Sequence, residues 1–422
     1  MRNIAVLLFL CLLLSVASAS AEGYGYPFPD PIKATVYGTP PSEIYKDFKF
    51  VQVKARALRV KDRKVPDIFA YSRDMYYSTA LHKEKAPLIF IIAGTGGEHD
   101  STKMDYLTRV FYSAGFSVVA LSSPTHMNFI ISMSQHAVPG YVPYDVADLY
   151  RAMHWIKDEL AGECEVSDYY VTGYSLGAMH AAYLAHMDDE RHDFNFKKAL
   201  LINPPVSLYH SVKKLDSWLG PENLGGRTIH QQIERFVEMF SDYYEQRDIT
   251  DFDDNFLYDL VTHVDFDDTD LRALIGVDFR LSATAMIFSS DVCLRAGYLV
   301  PPDQYPLANG APLMDYAEAA FDISFEEYMD EYLLPYLKYV DPTMDRYTMI
   351  KNCSLYPIRS WLMDSGKVVL IGNLDDVILN NDDVQFIEDV FGKRAHLFPT
   401  GGHCGNMMYG PFVKAMLEMI KS

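Results

Sequence analysis

Tyr170-Val171-Thr172-Gly173-Tyr174-Ser175-Leu176-Gly177-Ala178 is the stretch that decides how this chain folds. An apolar run, predicted as a strand over residues 169–172, enters a G-x-S-x-G pattern, and a helix is predicted to leave it over residues 176–187. Five residues with three fixed positions arise easily by chance. A strand before and a helix after make the match specific. Glycine is needed on both sides because a sharp strand-to-helix turn brings backbones close and forces the residue between them into a strained conformation. Such a turn lifts the Ser175 hydroxyl clear of the sheet. It also aims the Leu176 N–H, at the start of the helix, towards any oxyanion forming there.

Working outward, strand-like and helix-like segments alternate. Residues 86–93 form a continuous apolar run ending in Gly94-Thr95-Gly96-Gly97. A strand apolar on both faces is one buried between helix layers, which means a parallel sheet. A helix is expected over 104–114, a strand over 116–121, a helix over 145–160 with apolar residues at helical spacing, and a strand over 199–203. The pattern stops at Pro204-Pro205. It resumes with a strand over 367–372, a helix over 383–391, a strand over 396–398 and a helix over 412–420. Two shorter alternating segments, 48–55 and 67–71, read as strands preceding all of these. The expected fold class is therefore α/β, a mostly parallel sheet flanked by helices with active residues at the strand C-termini. Residues 206–361 interrupt it as a largely helical insertion rich in aromatic and acidic residues.

The chain has 422 residues, 49% hydrophobic and 22% charged, which supports a large core and excludes a disordered or fibrous protein. Its formal charge is -20. A nucleic-acid binder needs a basic footprint, so no nucleic-acid partner is expected. Most of the acidity is local: residues 241–340 carry 21 Asp and Glu against 5 Lys and Arg. Asp251, Asp253, Asp254, Asp265, Asp267 and Asp268 lack the spacing and central glycine of a calcium loop, so they read as a solvated acidic face, and no metal is expected.

Met1-Arg2, an apolar run over 4–14 and Ala17-Ser18-Ala19 have the grammar of a secretory signal peptide. Residues 1–21 are expected to direct export, to a periplasmic or secreted location, with no stable membrane insertion afterwards. The mature chain keeps Cys164, Cys293, Cys353 and Cys404. An oxidising compartment would allow pairing, with Cys293–Cys353 the candidate staple of the insertion.

A serine hydroxyl needs a base to attack at neutral pH. His403, in Gly401-Gly402-His403-Cys404-Gly405, lies on a glycine-rich loop directly after a strand and has the most suitable placement of 13 histidines. The base needs an orienting acid. Gly372-Asn373-Leu374-Asp375-Asp376 closes a strand and offers two side by side; Asp375 is preferred and Asp376 is the alternative. A developing oxyanion needs two N–H donors. Leu176 supplies one, and the Gly94–Gly97 loop the other, with Thr95 preferred and Gly96 second. The loop is not a phosphate cradle, because neither G-x-x-x-x-G-K-[ST] nor a full G-x-G-x-x-G is present.

These residues resemble the α/β-hydrolase superfamily, in its serine esterase/lipase-like branch. The likeness covers about residues 86–205 and 365–422. It rests on Gly173-Tyr174-Ser175-Leu176-Gly177, the Ala93-Gly94-Thr95-Gly96-Gly97 loop, the acid after the late strand and Gly402-His403, in the chain order serine, acid, histidine. Many relatives carry His-Gly where this chain has Ala93-Gly94. The resemblance implies a catalytic domain split between residues 22–205 and 362–422, with 206–361 as a cap over the site. It also implies a serine hydrolase acting on a small-molecule ester or acyl substrate without a cofactor. A peptidase or amidase on the same three residues is the enzymatic alternative, and a non-catalytic binding protein of the same fold is the other. Neither acyl length nor oligomeric state is legible in the residues.

Overall fold

The structure, a computed structural model, describes residues 24–61, 63–245, 256–307 and 310–422. The expected signal peptide and Asp251, Asp253 and Asp254 lie outside the described residues. Among the described residues no helix is long and apolar enough to cross a membrane.

The backbone of the fold is one eight-stranded sheet. Its strands are β1 (Lys54–Leu58), β2 (Met75–Ala80), β3 (Ala86–Ile92), β4 (Ser117–Leu121), β5 (Val166–Tyr174), β6 (Lys198–Ile202), β7 (Val368–Asn373) and β8 (Ala395–Phe398). They lie in the order β1-β2-β4-β3-β5-β6-β7-β8. β1 and β2 pair antiparallel, as do β2 and β4, and every later pairing is parallel. Strand side chains alternate between two cores, as a period of two requires. Phe90, Ile92, Val119, Leu121, Leu201 and Leu370 enter one. Ile89, Ile91, Val118, Ala120, Leu200 and Ile371 enter the other. This is why the central runs read as continuously apolar.

Helices cover both faces. α1 (Pro31–Tyr37), α2 (Thr102–Ser113), α3 (Val142–Glu159) and α4 (Leu176–Arg191) precede the insertion, and α8 (Asn381–Phe391) and α9 (Gly410–Lys421) follow it. α3 and α4 pack on one face through Leu149, Met153, Ile156, Ala178, Ala182 and Leu184. α2 and α9 cover the other through Leu107, Val110, Phe111, Phe412, Val413 and Met416.

Two expected strands are corrected. Residues 67–71 belong to a 3-10 helix, Asp67–Ser72, and the strand expected at 48–55 forms later, at Lys54–Leu58. Phe69 explains the first. Its ring is buried in a satellite cluster with Ile131, Val292 and Val300, away from the sheet, so its apolar character never served a strand.

Residues 206–361 carry helices and no strand among those described. α5 (Leu208–Ser217), α6 (Ile229–Glu245) and α7 (Asp268–Leu294) are the principal ones. The excursion leaves and returns at one place. Ser207 bridges Ser354, the Leu208 N–H donates to the Cys353 carbonyl at 2.9 Å, and the Leu355 N–H donates to the Val206 carbonyl at 2.8 Å. The Cys293–Cys353 staple is absent, since all four described cysteines are free. Cys353 is buried and donates instead to the Gly140 carbonyl at 3.3 Å. Asp267 is engaged as the N-cap of α7, in a reciprocal pair with Asp270.

Candidate active site

The turn after β5 is as tight as its glycines imply. Ser175 sits at φ 54°, ψ -128°, a conformation that costs about 1–3 kcal/mol for a residue with a side chain. Its N–H donates to the Ile202 carbonyl at 2.9 Å, which ties the turn to the end of β6. A methyl group on Gly177 would stand 2.2 Å from the Ile92 carbonyl oxygen, and one on Gly173 would stand 2.4 Å from the Gly177 backbone. Neither contact can relax, because both partners are main chain.

His403 follows β8 and reaches Ser175. Its Nε2 lies 2.9 Å from Ser175 Oγ. Its Nδ1 lies 3.0 Å from both carboxylate oxygens of Asp376. Ser175 and His403 are thus together as expected, but the acid against the imidazole is Asp376 and not the preferred Asp375. The reason is one residue of strand. β7 runs on through Asn373 instead of closing at Gly372, which carries the acid one position further along the turn. Asp375 points elsewhere and accepts the N–H groups of Gly401 and Gly402.

The Asp376 side chain is fully buried. Asn203 Nδ2 donates to its Oδ2 at 2.8 Å, and the Ile378 N–H donates to its Oδ1 at 3.1 Å. Thr35 of α1 accepts the His403 N–H on its hydroxyl at 2.9 Å. Asn203 and Thr35 escaped sequence reasoning. Asn203 had a legible signal, standing at the end of a predicted strand next to the turn; Thr35 had none.

Burial disfavours the charged imidazolium of His403, but the Asp376 carboxylate beside it wins, and the imidazole is held well above its ordinary range. An imidazole accepts a proton from serine only when neutral. Activity is therefore expected to climb as pH rises through and beyond neutrality, with an acid limb displaced upwards from that of a free imidazole. A pH profile of kcat/KM that is already flat by pH 6 would contradict this.

The N–H groups of the two expected oxyanion donors have no acceptor among the described residues. The Leu176 N–H opens α4, where helix geometry leaves it without an intrahelical acceptor. The Thr95 N–H has no acceptor among the described residues. Gly96, the second choice, is occupied: its N–H donates to Thr125 Oγ1 at 2.8 Å.

Ser175, His403, Leu176 and Thr95 all open onto one cavity of about 560 Å³. Helices from the insertion wall it, α5 with Leu208, Val212 and Leu215, and α7 with Leu274, Ile275 and Phe279. The arrangement sets a serine oxygen against a base at the edge of a cavity that Thr95 and Leu176 also line.

No family model matches the sequence, and no curated protein matches it. Solved structures are similar to it at low identity. An esterase of Rhizomucor miehei is 13% identical at a TM-score of 0.44, covering 94% of this chain and 98% of its own. Brefeldin A esterase, a bacterial homologue of human hormone sensitive lipase, is 13% identical at a TM-score of 0.42, covering 91% and 78%. Proline iminopeptidase of Mycobacterium smegmatis is 14% identical at a TM-score of 0.41, covering 87% and 98%. The sheet order, the strained serine turn after β5, the acid after β7 and the histidine after β8 give this protein the α/β-hydrolase fold.

Proposed function

We propose that the protein is an exported serine hydrolase that cleaves a carboxylic ester through an acyl-enzyme. The observation that carries this reading is the hydrogen-bonded chain from Ser175 Oγ to His403 Nε2, and from His403 Nδ1 to Asp376, opening onto a cavity that apolar side chains of α5 and α7 help to wall. A binding protein needs none of the three.

His403 takes the Ser175 proton as Ser175 Oγ attacks the ester carbon. The carbonyl electrons move onto oxygen, where the Leu176 and Thr95 N–H groups stabilise them. The intermediate collapses, and His403 returns the proton to the departing alkoxide. Water then enters, gives a proton to His403 and attacks the acyl-enzyme carbonyl, which releases the acid and restores Ser175. Asp376 keeps the imidazole in the tautomer with its proton on Nδ1. The apolar part of the substrate lies against Leu208, Val212 and Leu215 of α5 and against Phe279 of α7.

The test is labelling by a fluorophosphonate, together with turnover of p-nitrophenyl esters of rising acyl length, with Ser175→Ala as control. The expected result is a single label on Ser175 and ester turnover in the wild type only. A folded protein that neither reacts nor turns over any ester would sink the reading. Cleavage of model peptides without ester turnover would replace it by a peptidase.

A further inference from the structure

Two acids stand side by side after β7, and only Asp376 reaches His403. Asp375 is half-buried and grips the histidine loop by its backbone. Its Oδ2 accepts the Gly401 N–H at 3.1 Å, and its Oδ1 accepts the Gly402 N–H at 3.0 Å. These are the two residues immediately before His403. Hydrogen bonds to an ionised acceptor are roughly twice as strong as neutral ones. Apart from Asp376 on the His403 ring, the loop's other side-chain holds are neutral. Asn373 Nδ2 donates to the Gly402 carbonyl at 2.8 Å, Asn373 and Asn406 pair through their amides, and Thr35 accepts the His403 N–H.

The surroundings of Asp375 carry charges of both signs. Asp376 adjoins it on the same turn, and Tyr24 and Tyr26 of the N-terminal segment lie within electrostatic reach. Asp30 at the start of α1, Lys214 of α5 and Arg272 of α7 share with it a recess of about 240 Å³. Neither cation forms an ion pair with Asp375 among the described residues; Lys214 donates to the Leu379 carbonyl instead.

We propose that Asp375 is a positioning residue, which holds the histidine loop so that His403 lines up with Ser175 and loosens that hold when its carboxylate takes up a proton. The proposal rests on the reading of Ser175, His403 and Asp376 as an acyl-transfer set. Protonation by solvent turns one acceptor oxygen into a hydroxyl, and one of the two loop N–H groups then faces a donor. Burial, outweighing the two N–H groups that favour the charge, raises the Asp375 carboxyl to about 6, so the change falls in an accessible range.

The experiment compares wild type with Asp375→Asn, which keeps the shape and one acceptor. At pH 8 the variant is expected to lose about 10- to 100-fold in kcat, the scale of a small misplacement of a reacting group, with KM within about twofold. Wild-type log kcat/KM should gain an extra unit of slope below about pH 6, and the variant should not. Hydrogen-exchange protection at Gly401 and Gly402 should fall in the variant, and in the wild type below that pH. Unchanged protection together with a wild-type pH profile would overturn the proposal. So would a variant that only melts earlier while kcat per folded molecule stays the same. If the wild type hydrolyses no ester, the acyl-transfer reading fails by itself, and the protection of Gly401 and Gly402 still decides whether Asp375 grips the loop.

Discussion

Ser175→Ala is expected to lower kcat for ester hydrolysis by about 10⁶-fold while leaving the fold intact. The substitution removes the atom that would bond to the acyl carbon, and nothing else in the cavity stands in for it at the same place. Stability should not suffer. The hydroxyl's hydrogen bond is to His403, and the strained φ of 54° belongs to the backbone turn, which alanine also has to adopt. The residual rate would come from the Leu176 and Thr95 N–H groups and from substrate binding. Steady-state kinetics on a p-nitrophenyl ester, with circular dichroism to show folding, checks this. A variant that keeps more than about a hundredth of the activity would mean that Ser175 is not the nucleophile.

Asp376→Asn comes next, with an expected loss of about 10⁴-fold in kcat and little change in KM. The carboxylate accepts the Nδ1 proton of His403 on both oxygens, and Asn203 and Ile378 donate to it from behind. In either orientation an amide would set its NH₂ against a donor, the Ile378 N–H in the place of Oδ1 or the Asn203 amide in the place of Oδ2. That NH₂ would also face Nδ1, and by donating to it would hold the proton on Nε2, the nitrogen that has to accept from serine. The comparison with Asp375→Asn is the informative one. A larger loss at position 375 than at 376 would show that the acids have exchanged roles during turnover.

β3, β6 and β7 were legible because they are buried on both faces, which is what makes a run such as residues 86–93 continuously apolar. The first two strands were harder. They lie at the antiparallel edge, where alternation is short and a buried ring such as Phe69 imitates a strand residue. Ser175 was legible because the tight turn restricts which residues can flank it. The choice between Asp375 and Asp376 was not, because it depends on where β7 stops, and strand ends are set by pairing with β8 and not by local pattern. Thr35 was out of reach for a different reason. It comes from a short helix far away in the chain, and only the folded molecule brings its hydroxyl beside His403.

The paired ends of the insertion, Val206 with Leu355 and Ser207 with Ser354, bring the start and the finish of the cavity's outer wall to one doorway. The two ends are held together there by backbone hydrogen bonds, so the number of residues looping out between them changes the closure entropy only slowly. Leu208, Val212, Leu274 and Phe279 all lie beyond the doorway, whereas Ser175, Asp376 and His403 lie before or after it in the chain. The same cavity is therefore walled by two separate stretches of polypeptide, the insertion on one side and residues such as Thr35, Lys103 and Ile378 on the other.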